Sequence, residues 1–340
     1  MRLLQAMAGA RHGGAEAFFV RLASALQRAG TEQRVLIRRD PDRAAVLRRA
    51  GIQPIELPFR GVLDIATRWR FRRAVAEFRP RIVLTWMNRA TQACPRGDFV
   101  HVARLGGYYD LKYYGRCDHL IGNTRDIVRY LVRQGWPEKR AHYLPNFTVA
   151  AKAAPVVRGS LDTPPDVPLA LALGRLHVNK GFDVLLAALA QVPQLHLWLA
   201  GDGELGAALQ RQAAALGVAG RVRFLGWRED IQALLAAADV LVCPSRHEPL
   251  GNVVIEAWAA GVPVVATASE GPGALIADGE SGLLVPVDDA DALARAMIRL
   301  ADDGGLRTRL AAAGRAAYEA EYSEARVVGL YRDFFAQVAR

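Results

Sequence analysis

Three cysteines in 340 residues, Cys94, Cys117 and Cys243, are too scattered, and odd in number, to form a disulfide framework or a zinc-ligand set. Their scarcity favours free thiols in a reducing compartment, so a cytoplasmic protein is expected. Long hydrophobic runs are also missing. No stretch approaches ~18 uninterrupted apolar residues, so no segment is expected to span a membrane. The run from Met1 to Met7 is too short for a signal peptide and reads as a first buried strand. No internal repeat of solenoid period is present, which sets stacked-repeat architectures aside. The remaining shortage is of acid: 34 Asp+Glu face 44 Lys+Arg, for a net charge of +10. That deficit is local, because residues 1–155 balance at +16 and the remainder at −6.

About half the chain is apolar (51%), and its length exceeds the roughly 250 to 300 residues at which one hydrophobic core stops growing. Two domains are therefore expected. Short apolar runs alternate with helical stretches in both halves: 35–37, 82–84, 99–102 and 119–122 in the first, and 169–173, 195–199, 222–225, 240–242 and 262–266 in the second. Such alternation predicts α/β domains with doubly wound parallel sheets covered on both faces. Residues 150–168, with their Pro, Gly and Ser, read as a linker. In the basic half, residues 68–81 interleave six arginines with Trp69, Phe71 and Phe78. That composition suits an anionic membrane surface, nucleic acid, or a simple solvated helix face.

The most informative stretch is Glu248-Pro249-Leu250-Gly251-Asn252-Val253-Val254-Ile255-Glu256, two carboxylates eight positions apart around a turn and a helix start. The preceding run 239–243 reads as a buried strand, so the stretch falls at a strand's carboxyl end, where open α/β sheets bind ligands. Pro249 suits a first helical turn, and Gly251 lets backbone N–H groups approach anionic oxygens. Glu248 is expected in the loop and Glu256 about two turns into the helix.

That segment resembles the Glu-x7-Glu motif of the retaining family 4 glycosyltransferases. Further motifs follow in the family's order. Gly174-Arg175-Leu176-His177-Val178-Asn179-Lys180-Gly181 resembles the G-R-L-x-x-x-K-G turn, and Gly201-Asp202-Gly203-Glu204 the G-D-G turn. The run 223–227 is similar to the nucleobase loop, and Gly13-Gly14-Ala15-Glu16 matches G-G-x-E. The resemblance implies the GT-B fold, two Rossmann-like doubly wound domains facing across a cleft. It places an acceptor domain at 1–155, a nucleotide-sugar domain at 156–322, and a last helix, 323–340, crossing back to the first domain. It implies transfer of a hexosyl group from a nucleotide diphosphate sugar to a glycan acceptor, with no metal and no cofactor.

In that chemistry the anomeric C–O bond breaks and negative charge gathers on the departing diphosphate, so fixed cations and N–H dipoles help most. Arg175 and Lys180 flank one turn and suit that role. By resemblance Glu256 accepts from the ribose hydroxyls, and Glu248 lies near the transferred sugar as a third catalytic candidate. The turns at Gly13, Gly14, Gly174, Gly201 and Gly226 offer backbone, Pro249, Leu250, Gly251 and Asn252 complete the motif loop, and Trp227 and Arg228 face the base. Trp227 as core packing is the competing reading, and Glu16 as a first-turn acid another. Where relatives place an acceptor-facing histidine, this chain has Arg104 or Leu105, with His101 inside the strand. Gly271-Pro272-Gly273-Ala274 lacks a glutamate found in relatives. Asp289-Ala290-Asp291 reads as a helix cap rather than a metal site. Taken with the resemblance, the basic half is expected to meet a lipid-linked or lipopolysaccharide-type acceptor and an anionic inner membrane surface, without nucleic acid. A sugar-nucleotide epimerase of the same fold and a basic nucleic-acid-binding protein are the alternatives.

Overall fold

The computed structural model describes residues 1–11, 13–61, 64–150 and 153–339. The chain divides into two compact units, Met1–Phe147 with Glu324–Arg340, and Thr148–Ser323. The first division thus falls after Phe147, where the sequence reading set it after residue 155.

The first unit holds seven parallel strands: β1 (Arg2–Met7), β2 (Glu32–Arg38), β3 (Ile55–Leu57), β4 (Ile82–Trp86), β5 (Val100–Leu105), β6 (His119–Gly122) and β7 (Ala141–Tyr143). Their order is β3-β2-β1-β4-β5-β6-β7, so the direction of winding reverses between β1 and β4. The central strand β1 is covered on both faces. Leu3 and Met7 pack with Phe18, Phe19 and Trp86, while Leu4 and Ala6 pack with Leu57, Phe71 and Val83. Burial on both sides is why these strands read as continuous apolar runs rather than alternating ones. The Glu324–Val338 helix closes this unit, sinking Val327, Tyr331, Phe334 and Phe335 into the core that contains Phe18.

The second unit holds six parallel strands: β8 (Leu169–Leu173), β9 (His196–Ala200), β10 (Val222–Gly226), β11 (Val240–Cys243), β12 (Val264–Thr267) and β13 (Leu283–Val285). Their order, β10-β9-β8-β11-β12-β13, reverses between β8 and β11. The described part of the segment read as a linker, from residue 153 on, is built into this unit instead. The Val156 N–H donates to the Ala233 carbonyl at 3.1 Å, and Thr163 accepts from the Trp198 indole at 2.8 Å. Its Val156 and Leu161 side chains pack against the core, which its Pro and Gly content concealed. Asp289 caps the Ala290–Asp302 helix, accepting from the Ala292 N–H at 2.8 Å. Among the described residues, no helix is long and apolar enough to cross a membrane.

Candidate functional site

In an open α/β sheet the crevice for ligands opens where the strand order reverses, at the carboxyl ends of the strands. In the second unit that point lies between β8 and β11, and the loops leaving those two strands carry the Gly174–Gly181 and Glu248–Glu256 motifs. The loops are bound to each other. The Asn179 carbonyl accepts from the N–H groups of Arg246 (2.8 Å) and His247 (3.2 Å), and the Lys180 ammonium donates to the Glu248 carboxylate. Both members of that pair are largely buried, at 24% and 12% side-chain exposure.

Glu248 is held from every side. Its second carboxylate oxygen accepts from the Gly251 N–H at 3.3 Å, its own N–H donates to Glu270 at 3.2 Å, and its carbonyl accepts from Gly271 at 2.7 Å. Glu270 also bonds the His247 ring at 2.7 Å. Burial opposes ionisation of Glu270, but the hydrogen bonds from its own N–H, from His247 and from Glu248 outweigh it and hold its carboxyl below the usual range. Cys243, fully buried at the end of β11, has its thiol pushed up to about 11 by burial and then by the Glu248 charge, so it is a neutral packing group.

Gly251 adopts a left-handed φ of 81°, and the helix begins only after it, at Asn252–Ala260. Pro249 therefore lies in the loop rather than in a first helical turn, and Glu256 stands about one turn in, not two. The unit required for ligand approach is thus the left-handed turn itself, with the Leu250 side chain buried beneath it.

Arg175 points elsewhere. Its guanidinium lies 3.3 Å from Glu204, which also lies 3.5 Å from His177, and it is 72% exposed. The two cations expected to converge thus have separate carboxylate partners. Beneath them the floor is main chain. Gly174 N–H donates to Ala200, Leu176 N–H to Asp202, and Gly201 N–H to Gly226, at 3.0, 2.9 and 2.8 Å. A Cβ on Gly201 would stand 1.8 Å from the Gly174 carbonyl oxygen, so only glycine permits this stack of strand ends. At its outer edge Trp227 is 72% exposed, which overturns the core-packing reading, and Arg228 forks onto Asp230 at 2.6 and 2.8 Å.

The first unit's reversal point is bordered by the loop after β1. Gly13 precedes the Gly14–Arg28 helix, and Glu16, 6% exposed, accepts from the Ala10 N–H at 2.7 Å. A Cβ on Gly13 would come within 2.3 Å of the Glu16 carboxylate. Glu16 therefore braces the loop and is more than a first-turn acid. At the end of β5, Arg104 is buried, its guanidinium 4.5 Å from the Phe18 ring centre and 4.8 Å from that of Trp86, and bonded to Asn146 and, at 2.9 Å, to Tyr331.

Sequence reasoning missed Arg246, Asp183, Asp288, His247 and Glu270. Arg246 forks onto Asp183 at 2.6 and 2.8 Å and reaches Asp288 at 2.5 Å, tying the motif loop to the Gly174–Gly181 side. Their only signal was adjacency to motif residues.

Two doubly wound parallel sheets, the second with a glycine- and cation-bearing loop after β8 paired through Lys180 and Glu248 to a carboxylate-bearing loop after β11, define the class of GT-B glycosyltransferases. The chain belongs to that family: Glycosyltransferase Family 4 matches residues 12–151, and Glycosyl transferases group 1 matches residues 167–303. It is 39% identical over 335 residues to the lipopolysaccharide core biosynthesis glycosyltransferase LpsE of Rhizobium meliloti, covering 96% of each chain. It is 37% identical to LpsD of the same organism, covering 95% of each. The crystal structure of Anabaena HepE in complex with UDP-glucose superimposes with a TM-score of 0.86 at 21% identity, covering 99% of this chain and 100% of that one.

Proposed function

We propose that this transferase moves a hexosyl group from a nucleotide diphosphate sugar, held by the second unit, to a lipid-linked glycan of the lipopolysaccharide core, held by the first, with retention and without a metal. The observation that carries the reading is the Lys180–Glu248 pair at the β8/β11 reversal. LpsE and LpsD support the lipopolysaccharide assignment, and the HepE complex supports a nucleotide sugar as donor. As the anomeric C–O bond breaks, its electron pair passes to the diphosphate oxygen, where Lys180 and Arg175 stabilise it. The acceptor hydroxyl bonds to the anomeric carbon on the same face and gives its proton to the departing phosphate, so no protein nucleophile is required. Glu256 takes the ribose hydroxyls, and Glu248 keeps the Lys180 ammonium in place while binding a sugar hydroxyl. The exposed Ile65 and Trp69 among the arginines of the Ile65–Phe78 helix support a resting place on an anionic membrane surface.

A thermal-shift panel of UDP-, GDP- and ADP-sugars tests the donor reading. A ligand at 100 times its Kd stabilises by about 2.7 kcal/mol, so one base should raise the melting temperature clearly. No shift with any of them at millimolar concentration refutes a nucleotide-sugar site.

A further inference from the structure

We propose that the groove between the Ile65–Phe78 and Met87–Ala93 helices of the first unit is a phosphate-ester site that holds a phosphorylated sugar of the acceptor glycan. The identity of the ligand as acceptor rests on the transferase reading above; its chemistry does not. A cavity of about 280 Å³ opens here, lined among others by Asp64, Arg68, Arg89, Gln92 and Tyr113. A second cleft of about 590 Å³ adjoins it through Arg68, Gln92 and Ala93 and adds Arg72, Arg96 and Arg116. Five arginines from three parts of the chain thus face one concave surface.

None of the five forms an ion pair among the described residues. Acid is present nearby but committed elsewhere. Glu77, at the far end of the Ile65–Phe78 helix, is taken by Arg73 at 2.7 Å and Arg34 at 3.4 Å. Asp64 caps that helix, accepting from the Thr67 N–H, the Thr67 hydroxyl and the Arg60 N–H at 2.9, 2.6 and 2.7 Å. Among the described residues, Arg116 is the one of the five whose guanidinium donates to the chain, to the Cys94 carbonyl at 3.1 Å. Uncompensated cations in a concavity repel one another and focus a positive field, and an anion relieves both. The guanidinium fork matches phosphate oxygens two at a time. Gln92 and Tyr113 supply an amide and a hydroxyl for sugar oxygens. The groove also differs in kind from a membrane face: the exposed apolar side chains, Ile65 and Trp69, stand one turn apart at 78% and 59% exposure and line neither cleft.

The test uses the full chain saturated with UDP, so that the second unit's site is filled, and measures binding of glucose 6-phosphate by calorimetry, with glucose as control. The unmodified protein should bind the phosphate ester and not glucose. Arg89→Gln, and Arg68→Gln with Arg89→Gln, should weaken that binding by about tenfold or more while leaving UDP affinity and melting temperature unchanged. Equal affinity in the variants, or no discrimination between glucose 6-phosphate and glucose, overturns the assignment. So does a result in which the variants lose only binding to phosphatidylglycerol vesicles and the unmodified protein ignores the sugar phosphate, because the arginines then read a phospholipid surface. Failure to bind UDP counts against the transferase reading and leaves the groove's phosphate chemistry standing.

Discussion

Lys180 and Glu248 lie 68 positions apart, and their contact fixes the arrangement of the site. Removing the ammonium takes away the counter-ion of a largely buried carboxylate and, on the proposed reading, a partner of the departing phosphate. Lys180→Ala should therefore lower turnover by on the order of 100-fold with the fold retained by circular dichroism; a variant of near-normal turnover places the leaving group elsewhere. Glu256 makes a different demand. On the proposed donor reading the half-buried Glu256 accepts from ribose, so Glu256→Ala should weaken even the bare nucleoside diphosphate by about 1.5 to 3 kcal/mol, whereas Glu248→Ala should spare the bare nucleotide and impair transfer. Titration calorimetry on the two variants separates the roles, and equal affinity in both removes the distinction. Each of these residues stood out in the sequence as a candidate because its motif has a fixed spacing. Their pairing was not, and neither was Arg246 with Asp183 and Asp288, since arginine and aspartate beside a turn carry no local signature of the loop they bind.

At the scale of elements, the strands were legible because burial on both faces gives unbroken apolar runs, as in β8 and β11. Helix starts were less so. The left-handed Gly251 delays the helix past Pro249, and nothing in the residue types around it distinguishes a proline in a first turn from one in the loop before it. The stretch 150–168 misled for the opposite reason: turn-rich composition describes local conformation, while Thr163 and Val156 are held by tertiary partners. Between β4 and β5 one buried group reports on acid stability. His101 lies 3.0 Å from the Thr85 hydroxyl, and burial pushes its ring down to about 4, against the opposing charge of Asp118. A histidine with its folded value depressed is protonated first in the unfolded chain, so stability falls as pH drops from about 6.5 to about 4 and is full above that window. His101 alone should remove on the order of 2 kcal/mol by pH 4.5, and His142, also held to about 4 by burial, acts in the same sense. Denaturant titrations at pH 7 and 4.5 should show the loss, reduced in His101→Gln; an equal loss in that variant assigns it to other groups.

At the scale of the molecule, charge is divided as unevenly as the sequence states, +16 against −6 for residues 1–155 and the rest. Each Lys or Arg near an anionic surface contributes about 1 kcal/mol, attenuated over roughly 8 Å at physiological salt. Replacing Arg70 and Arg73, which line neither cleft of the arginine groove, with Gln should therefore reduce co-sedimentation with phosphatidylglycerol vesicles and leave nucleotide affinity intact. Binding that persists in high salt, or is equal on neutral vesicles, returns these arginines to a solvated face.

The main-chain floor beneath Arg175 carries a consequence for how such a protein diversifies. Hydrogen bonds among Gly174, Ala200, Gly201 and Gly226 belong to the backbone, so a point substitution elsewhere cannot rewrite them, and a substitution at Gly201 breaks the fold before it alters selectivity. On the proposed reading, heritable change in which donor is chosen is thereby channelled to exposed side chains at the rim such as Trp227, which can be exchanged without touching that main-chain platform.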